Sequence, residues 1–402
     1  MTEIPSIPMR ALLAGARRKQ SQLLDLTKKL VLAESPSDDK SAVDACMDLA
    51  AAHTQSLGGR IKRHKQKHFG DVLELRFGPR KPKNRILLLG HLDTVWPIGT
   101  LKTMPCHIAT DPAGSGGRQR LYGPGALDMK AGVAMAFTAI ELLTEAATIH
   151  SEIIFLLNSE EEIGSPVSHP ITEKLAQECR AVYVLEPAQG LAYKTARKGT
   201  GNWRLTVHGL AAHAGVDFTR GRSAILELAR QIEKISAFTD LNKGTTVNVG
   251  VIGGGSKSNV IPAEAWAEID VRIARRAHGP HIEKRFSALK PTSKSGTTLT
   301  LEGGINRPPM ERTRGTVQLF RRAQAFAAGL GPGFLPDPAN PTPVLQEAAT
   351  GGASDGNFTS ALGIPTLDGM GAVGEGAHAT HESILIDHLA PRTALLAAML
   401  AG

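Results

Sequence analysis

The chain has 402 residues, of which 42% are hydrophobic and 21% are charged, and its formal net charge is +8. This length exceeds one ordinary domain, so we expect a globular protein with two domains. Three scattered cysteines without CxxC spacing argue against a disulfide framework and a structural zinc knot. No run reaches the roughly 18 apolar residues that a membrane span needs. We therefore expect a cytoplasmic protein without a membrane partner, secreted only if a leader has been removed.

Basic residues cluster at 60–68 and 80–85. Two interpretations are open, a nucleic-acid surface or a solvated strand face with a basic turn. Only 4% of residues are aromatic, which leaves little for base stacking, and no nucleic-acid-binding motif accompanies the runs. We favour the solvated face and expect no nucleic-acid partner. A non-catalytic basic binding protein stays as a distant alternative.

The N-terminal part of the chain predicts helices followed by strands. Apolar residues recur at helical spacing within residues 1–58, and Ser-Pro-Ser at 35–37 interrupts them. Ser41 is a candidate N-cap for the second helix. Strands are then predicted at 60–66, 71–77 and 85–90.

A histidine and an aspartate follow the apolar strand at 85–90. His91 and Asp93 are two residues apart, which points their side chains the same way. One interpretation is a metal-binding imidazole whose other nitrogen is held by the aspartate. The other is a His–Asp pair in a polar loop.

A Gly-Pro-Gly sequence precedes Asp128 and a helix predicted at 129–146. Asp128 occupies the position of an N-cap, and capping is one interpretation of it. The glycines favour a tight, specified loop instead. Just before this segment, the Gly-rich residues 111–117 predict a hairpin tip.

Three consecutive carboxylates follow the apolar strand predicted at 153–157. In open α/β sheets the chemistry gathers at the carboxyl ends of strands, and Glu160, Glu161 and Glu162 lie at such an end. Like charges raise one another's pKa, so the triplet needs a counter-charge, for which a divalent metal is the candidate. A solvated acidic loop is the alternative. Strict strand alternation would put Glu160 and Glu162 on one side of the strand and Glu161 on the other, unless the chain turns, which Gly164 permits.

A helix at 173–179 and a strand at 181–185 lead to Glu186. Three strands thus end in a possible metal ligand: His91, Glu162 and Glu186. Alternating strands and helices predict an α/β fold with a largely parallel sheet flanked by helices.

The pattern changes to strand-helix-strand-strand-helix-strand after residue 199. This βαββαβ order predicts an inserted ferredoxin-like lid domain. Its elements are predicted at 201–208, 222–237, 245–252, 264–273, 280–289 and 297–302. The domains are then 1–198 and 308–402 for the catalytic part and 199–307 for the insert. The catalytic part resumes with a helix at 315–329, a Pro-rich loop at 331–343, a Gly-rich loop at 351–357, a strand at 364–367 and a helix at 386–400.

The ordered motifs resemble the family of two-zinc, aminopeptidase-fold hydrolases that includes glutamate carboxypeptidase, acetylornithine deacetylase and aminoacylase. The resemblance covers residues 85–385 and rests on GHLDTV at 90–95, GPGALDMK at 123–130, EEEIGS at 160–165, Glu186-Pro187 and His378. Two departures are Met129, where many relatives carry a second aspartate, and Glu160, where many carry aspartate. Neither departure touches a predicted ligand. In these relatives the peptide bond after the bridging aspartate is cis.

The resemblance implies two Zn²⁺ ions per chain, with Co²⁺ or Mn²⁺ as substitutes. One ion is assigned to His91 and Glu186, the other to Glu162 and His378, and Asp128 bridges them. Asp93 orients the first histidine and Glu161 is the general base, which takes a proton from the bridging water and returns it to the leaving nitrogen. Glu160 receives no role, and His381 is left either as a residue that supports a ligand from behind or as a rim residue.

The resemblance also assigns residues to the substrate. His213 stabilises the oxyanion, often from the partner subunit, which implies a homodimer through the lid domain. Arg307 and Asn259 bind the substrate, with the Arg307 guanidinium on a free α-carboxylate, and Gly352 adds backbone contacts. Lys194 meets a second carboxylate or is merely solvated. We therefore expect a metallohydrolase that cleaves the amide bond of a short peptide or N-acyl amino acid, as a glutamate carboxypeptidase does, with an N-acyl-amino-acid deacylase as the alternative.

Overall fold

The computed structural model describes residues 8–111, 117–292, 294–331 and 344–401. The predicted hairpin tip and Pro-rich loop therefore lie almost wholly outside the described residues. Of the described residues, those within Met1–Ala196, Arg312–Thr350 and Ser354–Gly402 form a first compact unit, and Arg197–Glu311 with Gly351–Ala353 form a second. These limits lie two to four residues outside the predicted insert at 199–307, and they give 351–353 to the second unit.

Both units contain helices and strands. The helices are α1 (Met9–Arg18), α2 (Gln20–Leu32), α3 (Lys40–Ser56), α4 (Ala131–Glu145), α5 (His169–Ala176), α6 (Ala224–Ser236), α7 (Gly279–Ser287), α8 (Arg314–Leu330), α9 (Gly356–Ala361) and α10 (Leu389–Ala401). The strands are β1 (Arg60–His64), β2 (Val72–Phe77), β3 (Arg85–His91), β4 (His107–Thr110), β5 (Gln119–Tyr122), β6 (Glu152–Asn158), β7 (Ala181–Val184), β8 (Tyr193–Arg197), β9 (Gly199–His208), β10 (Thr246–Gly254), β11 (Glu264–Ile273), β12 (Thr298–Arg307), β13 (Glu347–Thr350), β14 (Thr366–Leu367), β15 (Gly374–Glu375) and β16 (Ser383–Leu385).

A six-stranded sheet in the order β1-β2-β6-β3-β7-β14 forms the centre of the first unit. From β6 to β14 all neighbours are parallel, and β1 and β2 add an antiparallel edge. Alternate residues of β3 enter two separate apolar clusters, Ile86 and Leu88 in one and Leu87 and Leu89 in the other. Both faces of the sheet are therefore covered, which is why its central strands read as continuous apolar runs. The prediction of an α/β fold with a largely parallel sheet is confirmed.

The second unit contains an antiparallel sheet in the order β10-β11-β9-β12, with α6 and α7 between its strands in the chain. Leu228 of α6 and Phe286 of α7 are buried against sheet residues such as Trp203, whose ring stacks on Phe286 at 4.5 Å between centroids. The predicted βαββαβ arrangement is confirmed.

Local chemistry corrects two predicted helix starts. The N-cap of α3 is Asp39, whose side chain accepts the backbone N–H of Ala42 at 3.0 Å, and Ser41 lies inside the helix. Helix α5 begins at His169, four residues before the predicted start, with Pro170 in its first turn, where a missing N–H costs nothing.

The basic runs have partners within the chain. Glu152 is only 3% exposed and lies within 3.1 Å of guanidinium nitrogens of Arg60, Arg76 and Arg85. A buried carboxylate needs such counter-charges, so these arginines stabilise the end of the sheet where β6 begins.

Within the described residues, no helix is both long and apolar enough to cross a membrane.

Candidate metal centre

The predicted ligands meet because their strands are neighbours in the sheet. β3 lies between β6 and β7, and all three run in parallel, so their carboxyl ends share one edge. His91 is the last residue of β3, Glu161 and Glu162 follow β6, and Glu186 follows β7. Ligand-type side chains from three points of the chain are therefore collected at that edge.

Asp128 lies between two histidines. One carboxylate oxygen, Oδ1, is 3.2 Å from Nε2 of His91, and the other, Oδ2, is 3.5 Å from Nε2 of His378. Each Nε2 also faces a second carboxylate: Oε1 of Glu186 is 3.8 Å from Nε2 of His91, and Oε2 of Glu162 is 3.1 Å from Nε2 of His378. The order Glu186–His91–Asp128–His378–Glu162 is that of two cation sites sharing one bridging carboxylate.

The donor set fits divalent metal ions. Potential ligand atoms lie within 4.8 Å of one another in two groups, His91–Asp128–Glu162 and His91–Glu161–Glu186. Imidazole nitrogens and carboxylate oxygens are ligands that zinc takes in catalytic sites. Four carboxylates at this edge also need positive charge, which two histidines alone provide only when both are protonated.

The charges of the site are strongly linked. Hydrogen bonds to Asp128 and Glu162 raise the pKa of His378 to about 10. Burial opposes protonation of His91, but hydrogen bonds to Asp128 and Asp93 outweigh burial and raise its pKa. Burial also opposes ionisation of Asp128, yet the two histidines hold the pKa of this carboxyl below its usual range. Metals bind neutral imidazole, so an ion entering here displaces protons, and its affinity falls with falling pH.

Asp93 contacts both the imidazole of His91 and the turn that carries Glu161 and Glu162. It is fully buried, and its Oδ1 lies 3.4 Å from Nδ1 of His91. The same carboxylate accepts the backbone N–H groups of Glu161 and Glu162, each at 3.1 Å, and the hydroxyl of Ser37 at 2.6 Å. Asp93 therefore orients the turn that carries both glutamates as well as the imidazole, a wider role than the sequence predicts.

The turn after β6 separates the three glutamates. Strand β6 ends at Asn158, and a 3₁₀ turn spans Glu161–Ile163 and closes on Gly164 at φ 98°. This positive φ suits glycine. Glu161 and Glu162 thereby face the same edge of the sheet, as the predicted turn requires.

Glu160 and Glu382 are buried carboxylates whose roles the sequence did not reveal. Glu160 accepts the hydroxyl of Ser159 at 2.6 Å and the backbone N–H groups of Val167 and Ser168 at 3.1 and 2.7 Å. It holds the loop beyond the 3₁₀ turn. Glu382 accepts N–H groups from the loop that carries Asp128. The only signals in the sequence were their residue type and their positions, Glu160 next to Glu161 and Glu382 next to His381.

Asp128 is not a helix cap. The residues Ala126–Lys130 form an irregular turn whose backbone is not helical at Asp128 and Met129, and α4 begins only at Ala131 without a side-chain cap. The Asp128–Met129 peptide is cis, as the resemblance implies. Met129 is buried, and its sulfur accepts the backbone N–H of His91 at 3.1 Å, so the departure at Met129 leaves the ligands in place.

The predicted substrate residues are divided between the units. Lys194 belongs to the first unit and is only 8% exposed, so the alternative of a solvated lysine is wrong. His213, Asn259, Arg307 and Gly352 belong to the second unit. Two of these lie in paired segments, because the N–H of Ala214 donates to the carbonyl of Asn259 at 3.0 Å beside the His213–Val260 bridge. His381 is exposed at the surface, as predicted for a rim residue.

Arg307 and Gly352 occupy different parts of the second unit. Arg307 ends β12 and is 7% exposed. The carbonyls of Gly352 and Ala353 accept hydrogen bonds from the Arg197 guanidinium at 3.2 and 3.3 Å. A buried arginine thus holds the backbone of the predicted contact loop.

Comparisons with known proteins agree with this geometry. The family model described as peptidase family M28 matches residues 73–206, and the model described as peptidase dimerisation domain matches 195–289. Carboxypeptidase G2 from Pseudomonas sp. (strain RS-16) is 28% identical over 97% of this chain and 91% of its own. Succinyl-diaminopimelate desuccinylase from Stenotrophomonas maltophilia (strain R551-3) is 26% identical over 92% of this chain and 96% of its own.

A solved structure agrees in fold. The metallo-carboxypeptidase Sso-CP2 of the M20 family, from Sulfolobus solfataricus, superposes with a TM-score of 0.71 at 17% identity, covering 94% of this chain and 98% of its own. The matched models, the full-length relatives and the paired cation sites lead to one conclusion. The chain is a metallohydrolase that belongs to the M20/M28 family of dinuclear metallopeptidases.

Proposed function

We propose that the chain is a carboxypeptidase-type hydrolase that uses two Zn²⁺ ions to cleave the amide bond next to an amino acid with a free α-carboxylate. The observation that carries the proposal is the shared carboxylate of Asp128, 3.2 Å from His91 on one side and 3.5 Å from His378 on the other. Similarity to carboxypeptidase G2 along 97% of the chain supports the choice of substrate. Co²⁺ or Mn²⁺ would suit the same ligands.

Each site residue has a proposed task. His91 and Glu186 would hold one ion, Glu162 and His378 would hold the other, and Asp128 would contribute to both sites. When bound, the ions acidify a water molecule and polarise the scissile carbonyl. Glu161 takes the proton of that water and delivers it to the leaving nitrogen. A base with this task must lie close to the residues that hold the ions. The Glu161 carboxylate meets this condition, because it lies within 4.8 Å of the ligand atoms of His91 and Glu186.

The cation Arg307 is proposed to bind the α-carboxylate of the substrate. Its guanidinium can hold a carboxylate with two parallel hydrogen bonds, and its 7% exposure limits competition from water. Asn259 and the backbone at Gly352 are proposed to assist it. The buried Lys194 is proposed to meet a second, side-chain carboxylate, which favours glutamate-like leaving groups.

We expect Arg307→Ala to remove the preference for a free carboxylate. Wild type should cleave an N-acyl glutamate about 10–100-fold better, in kcat/KM, than its α-amide, because charged hydrogen bonds contribute roughly 1.5–3 kcal/mol. In the variant, the kcat/KM values of the two substrates should be similar, mainly because KM for the free acid rises. Arg275→Ala, at an exposed arginine of the same unit, is the control and should keep the preference. Equal cleavage of both substrates by wild type would contradict the carboxylate clamp.

An N-acyl-amino-acid deacylase is the second candidate. The full-length similarity to a succinyl-diaminopimelate desuccinylase favours it. Both candidates use the same metal residues and the same carboxylate clamp, so they differ in the acyl side of the substrate. A panel of N-acetyl, N-succinyl, N-benzoyl and N-peptidyl amino acids assayed with added zinc ranks them directly.

A homodimer through the second unit is proposed on three observations. Residues 195–289 match a peptidase dimerisation domain, and β10 is an edge strand of its sheet. Val251 and Ile252 on this strand, and Ile225 and Leu226 on α6, are each 46–61% exposed. An unpaired edge with exposed apolar side chains is suited to pair with its own copy.

His213 is proposed to act on the partner's substrate. Its Nδ1 accepts the backbone N–H of Gly215 at 3.1 Å, which leaves Nε2 as the hydrogen-bond donor on an exposed imidazole. A donor of this kind can stabilise the oxyanion that forms during amide cleavage.

We expect mixed dimers of His213→Ala and Glu161→Gln chains to recover activity. Each variant alone should be nearly inactive, whereas in a mixed dimer one of the two sites keeps its own Glu161 and receives the partner's intact His213. Activity of purified, tag-verified mixed dimers is the measurement, with each variant homodimer as the control. Mixed dimers as inactive as the parents would contradict action between subunits.

A further inference from the structure

Glu382 joins three segments of the metal centre. Its carboxylate accepts the backbone N–H groups of Gly125, Leu127 and Asp128 at 2.9, 2.9 and 3.0 Å. It also accepts the indole N–H of Trp96 at 2.9 Å. The side chain is fully buried. The three segments are the loop after β3, the loop of the bridging carboxylate and the segment that begins with His378.

The loop of Asp128 needs an acceptor from elsewhere in the chain. Its backbone is not helical, with φ −113° and ψ 94° at Asp128, and α4 starts only three residues later. N–H groups ahead of the first helical turn have no carbonyl partner within the helix. Glu382 supplies that partner for three of them at once, including the N–H of the bridging residue itself.

Backbone pairing places Glu382 opposite this loop. Strand β16 pairs antiparallel with β5, with Ser383 opposite Tyr122, and the N–H of Gly123 donates to the Glu382 carbonyl at 3.2 Å. The turn of residues 123–125 therefore starts beside Glu382. Four residues earlier in the chain stands His378, so the position of this histidine is tied to that of Asp128.

We propose that Glu382 is a positioning residue of the two-ion site: it sets the bridging Asp128 at the spacing that both ions require. The inference rests on the proposed two-ion function. Glu382 is outside both groups of potential metal ligands, and it acts through the backbone of Asp128. Its loss should therefore weaken metal binding and lower kcat, with little effect on KM once metal is saturating.

Zinc titration of the metal-free full-length protein tests the proposal. The Glu382→Gln substitution replaces a carboxylate oxygen that accepts N–H groups with an amide N–H₂ that cannot accept them. The Zn²⁺ affinity of the variant should fall about 10–100-fold, the range for residues that orient metal ligands. Affinity is measured by competition with a chromophoric chelator. Should this variant not fold, Glu382→Asp is measured instead, because its carboxylate is one methylene short of the loop, and it should weaken Zn²⁺ binding in the same direction.

Glu152→Gln is the matched control. Glu152 is also a buried carboxylate, 3% exposed, but it begins β6, at the end of that strand opposite Glu161 and Glu162. This variant should lower the unfolding temperature and leave Zn²⁺ affinity unchanged, so stability is separated from positioning. If the measured Glu382 variant bound Zn²⁺ as tightly as wild type, the positioning role would be overturned while the proposed function would stand. A wild-type chain that binds no divalent ion would overturn the proposed function, and the positioning role with it.

Discussion

Replacing Glu161 with glutamine is expected to abolish turnover while both metal ions stay bound. A positioned general base contributes about 10²–10⁴-fold to the rate, and glutamine keeps the shape of the side chain but cannot take a proton. We expect kcat to fall by that factor with little change in KM. Bound metal is measured by elemental analysis of the dialysed variant.

Glu162→Gln is the matched control, one residue away. Its carboxylate is 3.1 Å from His378 and is proposed to be a ligand, so this variant should lose metal as well as activity. The pair also decides between two roles for Glu161, which lies in one of the two candidate ligand groups. Loss of metal from Glu161→Gln would identify a ligand, and full activity would exclude the base.

Replacing Asp128 with alanine is expected to have the broadest effect on the site. Its two oxygens face both histidines, so its loss removes a ligand from each ion and leaves two carboxylate–histidine pairs without their link. The ions contribute several kcal/mol to catalysis, and each 1.4 kcal/mol is about tenfold in rate. We therefore expect kcat/KM to fall by about a thousandfold or more, with fewer than two ions per chain.

Asp25→Ala is a suitable control, because Asp25 is exposed on α2. It should keep two ions and wild-type activity. If Asp128→Ala retained two ions with unchanged affinity, the bridging role would have to be abandoned.

The fold was predictable because its signals are local. The apolar runs of β3 and β6 and the change of pattern after residue 199 need only neighbouring residues to be read. The gathering of His91, Glu162 and Glu186 was predictable for a related reason, whereas Asp128 and His378 were assigned only by the family resemblance. Parallel strands bring their carboxyl ends together, so the residues that follow them, such as His91 and Glu186, could be placed at one edge before any distance was known.

The remaining features depend on distant backbone groups. Glu382 receives N–H groups from residues about 250 positions earlier, and nothing near it in the sequence signals this. The capping interpretation of Asp128 failed because the backbone at Asp128 and Met129 is not helical and α4 begins only at Ala131. The burial of Lys194 likewise depends on packing of its surroundings, among them the strand-like pairing of its backbone with Asp368.

The order of the ligands along the chain has a consequence during synthesis. Residues 91–186 carry four of the five proposed ligands, and they leave the ribosome before the whole of the second unit. His378 and Glu382 follow only after it. A nascent or interrupted chain therefore lacks both the fifth ligand and the acceptor that holds the Asp128 loop. All five proposed metal ligands are therefore present together only after the second unit has also been synthesised.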